Sequence, residues 1–147
     1  MPSSSPSGRG SGWVLAQSLL IVVTVVLVFV PPHWPRELRL VGVPLALLGA
    51  AGFVWAARAL GSSLTPYPKP REAGRLVQEG PYRYVRHPLY LAGTLFFTGV
   101  ALASSIPATV GAAALALLWW RKAVLEERHL DRRFAEYAEY RKRVRRF

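Results

Sequence analysis

Long apolar stretches constrain the fold of this chain more than any other feature. The stretch 13–30 has three polar residues, and the stretch 40–60 has one charge, Arg58. Two further stretches, 89–103 and 107–120, carry no charge. A helix that crosses a bilayer needs about 20 mostly apolar residues, and in lipid its backbone groups must bond to one another. The chain is therefore predicted to be an all-α integral membrane protein.

The stretches predict four transmembrane helices and, after them, an amphipathic helix on the cytosolic side. The predicted elements are spans at about 12–30, 40–60, 88–104 and 106–121, and a C-terminal helix at 122–143. The first two stretches are long enough for a span, whereas the last two are short, at about 15 residues. Residues 1–11 are rich in Ser, Pro and Gly and are predicted to be disordered, and residues 12–147 to form one domain.

The first stretch also has one feature of a secretory signal, because Arg9 precedes it. However, its apolar run exceeds the usual ~7–15 residues of a signal, and no small-residue cleavage site follows. It is therefore interpreted as the first span.

The net charge of +11 indicates an orientation in the membrane. Five basic residues lie in the loop 61–87, and ten Lys and Arg lie from Arg121 onward. Basic loops stay on the cytoplasmic side. The loop, the tail and both termini are therefore predicted to be cytoplasmic, with the helices in a plasma or inner membrane.

The basic excess has three interpretations. Control of membrane orientation accounts for most of it, and nucleic-acid binding is not expected because no recognition module is present. Anionic lipid headgroups are expected partners of the basic tail. The tail residues concerned are Arg141, Lys142, Arg143, Arg145 and Arg146. The absence of cysteine excludes disulfides, thiolate metal sites and cysteine nucleophiles, and no metal-binding residues are assigned.

A polar segment, 80–90, lies directly before the third stretch. Pro88 suits the first turn of a helix and holds His87 outside it. Arg86 and His87 are therefore expected at the membrane surface. Each alone could be an interfacial anchor, but the density of Arg, His and Tyr in this segment favours a binding site.

A pair of carboxylates, Glu126 and Glu127, follows the fourth stretch. Taken alone, they could be exposed charges balanced by Lys122 and Arg128. If the last two spans form a hairpin, the pair emerges beside His87. Such a site would hold a cation near the carboxylates and an anion near the basic residues, which are Arg83, Arg86 and His87.

Three motifs together resemble the isoprenylcysteine carboxyl methyltransferase family, which is grouped with the membrane phospholipid and thiol methyltransferases. They are Gly-Pro-Tyr-Arg-x-x-Arg-His-Pro-x-Tyr, Glu-Glu-x-x-Leu after a helical hairpin, and Phe-x-x-Tyr-x-x-Tyr in the tail. The resemblance covers about residues 61–147. The matching residues are Gly80, Pro81, Tyr82, Arg83, Arg86, His87, Pro88, Tyr90, Gly93, Glu126, Glu127, Leu130, Phe134, Tyr137 and Tyr140.

The resemblance implies that residues 12–147 are a membrane methyltransferase domain that uses S-adenosylmethionine. It implies a lipidic or small hydrophobic methyl acceptor. The cofactor-binding residues it implies are Tyr82, Arg83, Arg86, His87, Pro88, Tyr90, Glu126 and Glu127. The catalytic residues it implies are Glu126, Lys122 and His87.

One position departs from the family pattern, which often has Arg four residues before the first Glu. This chain has Lys122 there, and lysine cannot reproduce a bidentate guanidinium contact. The acceptor is therefore left open between a prenylated carboxylate, a phospholipid amine, a thiol and another prenyl-like lipid. An amine or thiol would have to lose a proton, which Glu126 or His87 could accept.

Two interpretations without catalysis remain. The chain could be a small membrane protein that binds anionic lipid through its basic tail. It could also be a subunit of a membrane complex, because the second span presents small residues that permit close helix packing. These small residues are Gly42, Ala46, Gly49, Ala50, Gly52, Ala56 and Ala57.

Overall fold

The computed structural model describes residues 10–68 and 74–147. Within these residues the chain forms five α-helices and no strand. The helices are α1 Ser11–Leu27, α2 Arg39–Leu60, α3 Pro88–Leu102, α4 Ile106–Arg133 and α5 Tyr137–Arg143. Short 3₁₀ turns occupy Arg36–Leu38, Gly61–Ser63 and Gly80–Arg83. For the described residues the all-α prediction is confirmed.

The amphipathic C-terminal segment is divided differently from the prediction. The helix that contains the fourth apolar stretch does not end at residue 121, because α4 continues without a break to Arg133. The Ala, Leu, Glu, Lys and Arg residues beyond Arg121 are good helix formers, so the change from apolar to charged sequence does not interrupt the backbone. The chain leaves the helix at Phe134, whose backbone is extended (φ −117°, ψ 113°). The predicted helix 122–143 is therefore wrong as a single separate element.

Two other boundaries differ from the prediction. The first helix ends at Leu27 rather than residue 30, and its first residue is Ser11, which was predicted to be disordered. Residues 1–9 of the predicted disordered segment lie outside the described residues.

Two regions are helical, long and apolar enough to cross a membrane: Arg36–Ser63, which contains α2, and α4. The helices α1 and α3 are shorter apolar helices of 17 and 15 residues. Only 17% of the most apolar window around α2 is buried inside the molecule. Large apolar side chains on α1 and α2 face outward, including Leu19, Leu40 and Leu47. Such a surface is typical of contact with lipid.

The close packing predicted for the second span is present between α2 and α3. A Cβ atom at Gly49 would overlap the backbone nitrogen of Phe96, and one at Gly99 would overlap that of Ala46. Gly42 lies equally close to the backbone of α3 at Gly99. Small residues let helix backbones approach, as they do in membranes where dispersion contacts drive helix association.

The turn between α3 and α4 also holds the end of α1. The Ser105 hydroxyl donates to the Leu27 carbonyl at 2.6 Å and accepts from the Ala108 backbone N–H at 3.2 Å. It therefore caps α4 while it joins α1 to the turn. Pro107 lies in the first turn of α4, where its missing N–H is not needed.

We expect Gly49→Ala to destabilise the protein by about 1–3 kcal/mol, because the added methyl group forces α2 and α3 apart. The thermal unfolding midpoint in detergent measures this effect. Gly52→Ala is the matched control, since its Cβ would make an ordinary 3.4 Å contact with Ala92 in the same helix pair. Equal midpoints for the two variants would contradict the close packing.

Candidate functional site

A cavity of about 340 Å³ lies where the start of α3, the second half of α4 and α5 meet. Its size is within the range of small-molecule sites, roughly 300–1,000 Å³. The wall also includes the described parts of the loop after α2. The polar side chains in the wall are Gln17, Ser63, Thr65, Arg75, Tyr82, Arg86, His87, Tyr90, Lys122, Glu126, Tyr137 and Tyr140. The apolar ones include Phe53, Leu60, Leu64, Leu89, Trp119 and Leu130.

The carboxylate of Glu127 is buried next to the cavity, with its side chain 6% exposed. Arg86 donates to its Oε1 from Nε at 3.1 Å and from Nη2 at 2.9 Å. Arg146 donates to Oε1 at 3.0 Å and to Oε2 at 2.7 Å. His87 Nε2 lies 3.1 Å from Oε1. The negative charge is therefore compensated inside the protein by residues from two chain segments, the one before α3 and the one after α5.

Backbone hydrogen bonds hold these segments in place. The N–H of Arg86 donates to the Arg145 carbonyl at 2.9 Å, and the N–H of His87 donates to the Arg146 carbonyl at 3.2 Å. The Arg86 guanidinium also donates to the carbonyls of Arg141 and Val144. The residues after α5 thus lie along the segment that precedes α3.

The turn Gly80–Arg83 is fixed from the other side by α5. The Tyr140 hydroxyl donates to the Tyr82 carbonyl at 2.6 Å, and both side chains are buried. Burial raises the pKa of Tyr140 to about 12, so its hydroxyl remains a donor at neutral pH. Gly80 has φ +57°, which favours glycine at the start of this turn.

Three rings form a continuous stack beside the second carboxylate. His87 stacks on Tyr90 at a centroid distance of 5.6 Å, and Tyr90 stacks on Trp119 at 6.5 Å. The Tyr90 hydroxyl donates to Glu126 Oε2 at 2.9 Å. The side chain of Glu126 is 25% exposed and lines the cavity. This wall therefore combines aromatic faces with a carboxylate, a surrounding that suits a cation.

Lys122 is almost fully buried at the same cavity, with 1% exposure. Its Nζ donates to Gln17 Oε1 at 2.8 Å and to the Pro66 carbonyl at 2.7 Å, and lies 5.6 Å from the Tyr90 ring centroid. Gln17 Oε1 also accepts from Trp119 Nε1 at 3.1 Å. Lys122 thus joins α1 and the loop after α2 to α4, and adds a positive charge to the wall.

The structure brings together most of the residues predicted for the site. Tyr82, Arg86, His87, Tyr90, Lys122 and Glu126 all line the cavity. The predicted juxtaposition of His87 with the glutamate pair is confirmed by the 3.1 Å contact to Glu127 and a 3.7 Å approach to Glu126.

Three predicted site residues lie elsewhere. Arg83 is the last residue of its turn, is exposed, and is not in the cavity wall. Pro88 is buried at the start of α3, where it shapes the backbone without lining the cavity. Glu127 faces its basic partners rather than the cavity.

The sequence alone missed several residues of the site. Arg146 was expected at anionic headgroups with the rest of the tail, but the pairing of residues 145–146 with the segment before α3 turns it towards Glu127. The nearby Glu127 carboxylate raises the pKa of Arg146, so the cation is stable there. Nothing in the sequence marked Gln17 or Trp119 as site residues, because each lies within a long apolar stretch. Tyr137 matched a family motif but had no assigned role.

Among residues 10–68 and 74–147, no group of three or more histidine or acidic side chains is placed to hold a metal ion.

Comparison with known proteins gives two matches. Residues 38–137 match a family model described as phospholipid methyltransferase. This match runs from the start of α2 into α5, and includes both the segment before α3 and the glutamate pair. The chain is also 34% identical over 109 residues to the cobalt-zinc-cadmium resistance protein CzcN of Cupriavidus metallidurans. That alignment covers 73% of this chain but only 45% of the relative, so the chain spans less than half of that protein's length.

We expect Glu127→Gln to destabilise the fold by about 3–5 kcal/mol, because it leaves buried guanidinium groups without their counter-charge. Glu126→Gln is the matched control, because Glu126 accepts one hydrogen bond, from the Tyr90 hydroxyl, and its side chain is partly exposed. Thermal unfolding of both variants in detergent measures the difference. A Glu126→Gln variant as unstable as Glu127→Gln would show that the two carboxylates do not have separate functions.

Proposed function

Because the chain belongs to the phospholipid methyltransferase family, we propose that it is an S-adenosylmethionine-dependent methyltransferase that acts at a membrane on a lipidic or small hydrophobic acceptor. The observation that carries the proposal is the wall formed by Glu126, Tyr90 and Trp119. It presents a carboxylate and aromatic faces to one cavity. The proposed domain is 12–147.

The cavity residues fit the chemical groups of S-adenosylmethionine. Its sulfonium cation is suited to Glu126 and the stacked rings of Tyr90 and Trp119. Tyr82 and His87 complete this part of the wall. When bound, the cofactor supplies an electrophilic methyl group. The chain's own task is then to align donor and acceptor at about 3–3.5 Å and to exclude water.

Arg86 and Glu127 are proposed to act through position rather than by direct contact. Three of the Arg86 hydrogen-bond acceptors are backbone or carboxylate groups of the protein itself. Together with Pro88, the Arg86–Glu127 ion pair is proposed to hold His87 and Tyr90 at the start of α3, so that their rings face the cavity. Arg83 is not included in the proposed site.

Glu126 is the proposed base if the acceptor is an amine or a thiol. Glu127 accepts hydrogen bonds from two guanidinium groups and contacts His87, and such donors stabilise the charged form and lower its proton affinity. Glu126 lacks contacts of this kind to arginine among the described residues and faces the cavity. It is therefore the better placed of the two to accept a proton from a bound acceptor.

The helix arrangement suggests how a lipidic acceptor reaches the cavity. α1 packs on α4, and α2 packs on α3, so α1 and α2 lie on opposite sides of the α3–α4 hairpin. The cavity wall includes Gln17 from α1 as well as Phe53 and Leu60 from α2. Phe53 is about half exposed. We propose that the acceptor enters from the bilayer between these two helices.

The proposed membrane arrangement has four crossing helices, with both termini and the cavity on the cytoplasmic side. The exposed basic residues near the cavity support this orientation. Those after α4 that are exposed, namely Arg141, Lys142, Arg143 and Arg145, are proposed to contact anionic headgroups.

Binding of S-adenosylhomocysteine to detergent-purified protein tests the proposal, followed by transfer of labelled methyl groups to lipid acceptors. We expect saturable binding by the wild type and a loss of methyl transfer of at least about tenfold in Glu126→Gln, since a single charged contact contributes about 1.5–3 kcal/mol. Glu139→Gln is the control, because this exposed carboxylate pairs with Lys142 away from the cavity. A well-folded wild type without binding would leave the lipid-binding or subunit interpretation.

Lys122 is proposed to hold the acceptor end of the cavity. We expect Lys122→Met to raise the KM for the acceptor about tenfold, which corresponds to about 1.4 kcal/mol, while S-adenosylhomocysteine binds within about threefold of wild type. Arg121→Met removes the same charge type one residue away, at an exposed position, and serves as the control. Because Lys122 also holds Gln17 and Pro66, the unfolding midpoint is measured for both variants. An unchanged KM in folded Lys122→Met would exclude this role.

A further inference from the structure

Tyr137 has a hydroxyl group that the fold does not satisfy. Its side chain is fully buried, at 0% exposure, and belongs to the cavity wall. Its Oη has no hydrogen-bond partner among the described residues. The hydroxyls of Tyr90 and Tyr140, which line the same cavity, donate to Glu126 and to the Tyr82 carbonyl. A buried hydroxyl without a partner is uncommon, because it loses its hydrogen bonds to water without replacement.

The missing partner must be a hydrogen-bond acceptor. Burial raises the pKa of Tyr137, and the Glu127 carboxylate raises it further, so the group remains a protonated donor. Arg86 opposes part of this shift through its charge and through a contact to the hydroxyl oxygen, but a guanidinium only donates and cannot accept the hydroxyl proton. Glu127 accepts from Arg86 and Arg146. The hydroxyl proton is therefore left for a group that is not part of the described chain.

The charges around Tyr137 indicate what that group is. Arg86 and Arg146 are both within electrostatic range of its hydroxyl, and Glu127 is the one carboxylate that they share. Glu126 also acts on the hydroxyl electrostatically, but its carboxylate accepts from Tyr90. The Arg86 guanidinium lines the cavity together with Tyr137. An unused hydroxyl donor beside a guanidinium favours an anionic oxygen. The carboxylate and aromatic wall at Glu126 and Tyr90 favours a cation.

We propose that Tyr137 donates a hydrogen bond to a carboxylate oxygen at the amino-acid end of S-adenosylmethionine. This inference rests on the proposed function, which supplies the ligand. It makes Tyr137 a binding residue that orients the cofactor between the cationic and the anionic side of the cavity. It also predicts that the hydroxyl lowers the stability of the ligand-free protein and raises the affinity for the cofactor.

Tyr137→Phe separates these two effects, because it removes only the hydroxyl. We expect S-adenosylhomocysteine, which keeps the amino-acid end, to bind at least about tenfold more weakly in calorimetry. We expect 5′-methylthioadenosine, which lacks that end, to bind as it does to wild type. We expect the ligand-free variant to unfold at a higher temperature than wild type, since it no longer buries an unsatisfied donor.

Tyr140→Phe is the matched control, since it removes a tyrosine hydroxyl from the same helix that does have a partner. We expect it to lower the unfolding temperature of the ligand-free protein. If the unfolding temperature rises in Tyr137→Phe and falls in Tyr140→Phe, the Tyr137 hydroxyl has no protein partner, whatever the ligand. If the unfolding temperature falls in both variants, Tyr137 Oη has a protein partner, and the inference is overturned.

The binding measurements with the two nucleosides test the contact to the cofactor. Unchanged binding of S-adenosylhomocysteine in Tyr137→Phe would overturn the contact to the cofactor, and a raised KM for the acceptor alone would assign the hydroxyl to the acceptor instead. Equal weakening for both nucleosides would move the contact away from the carboxylate. If wild type binds neither nucleoside, the proposed function itself fails. If wild type binds both and Tyr137→Phe is unaffected, only this inference fails.

Discussion

The buried carboxylate of Glu127 is the interaction on which the arrangement of the site depends. It joins α4 to the segment before α3 through Arg86 and His87, and to the residues after α5 through Arg146. A buried ion pair does not necessarily add net stability compared with an apolar contact, but removing one partner is strongly destabilising. Its structural importance is therefore geometric. It fixes the positions of α4, the segment before α3 and the residues after α5 relative to one another.

The neighbouring carboxylate has a different environment, and the difference follows from helix geometry. Consecutive residues of a helix point about 100° apart, so Glu126 and Glu127 point in different directions, although both approach His87. Glu127 faces the arginines, whereas Glu126 faces the cavity and Tyr90. Of these two adjacent glutamates, Glu127 therefore links chain segments, and Glu126 presents its carboxylate to the cavity. The division explains why a site rich in arginine can still present a carboxylate to a cationic ligand.

The helices and the pairing of the two polar segments were predictable because they depend on local signals. Apolar runs predicted the helices, Pro88 predicted the start of α3, and the expected hairpin placed His87 beside the glutamate pair. The end of α4 was not predictable in this way, since charged helix formers continue a helix as readily as apolar ones. The position of Arg146 depends on backbone pairing across about 60 residues of sequence, which no local pattern in the basic tail reveals. The family resemblance identified the site residues by type, but only the fold separates those that line the cavity from Arg83 and Pro88.

In the proposed membrane arrangement, the unbroken course of α4 also sets the depth of the site relative to the bilayer. Its 28 residues make a rod of about 42 Å, at about 1.5 Å per residue, whereas the hydrocarbon layer is about 30 Å thick. Glu126 lies 20 positions after Ile106, hence about 30 Å along the rod. A helix that starts at one face of the hydrocarbon layer therefore carries its carboxylates to the opposite face, where headgroups and water begin. In that arrangement, a straight helix adjusts to a thinner or thicker bilayer by tilting or sliding, so a change in bilayer thickness would change the height of the cavity relative to the headgroups.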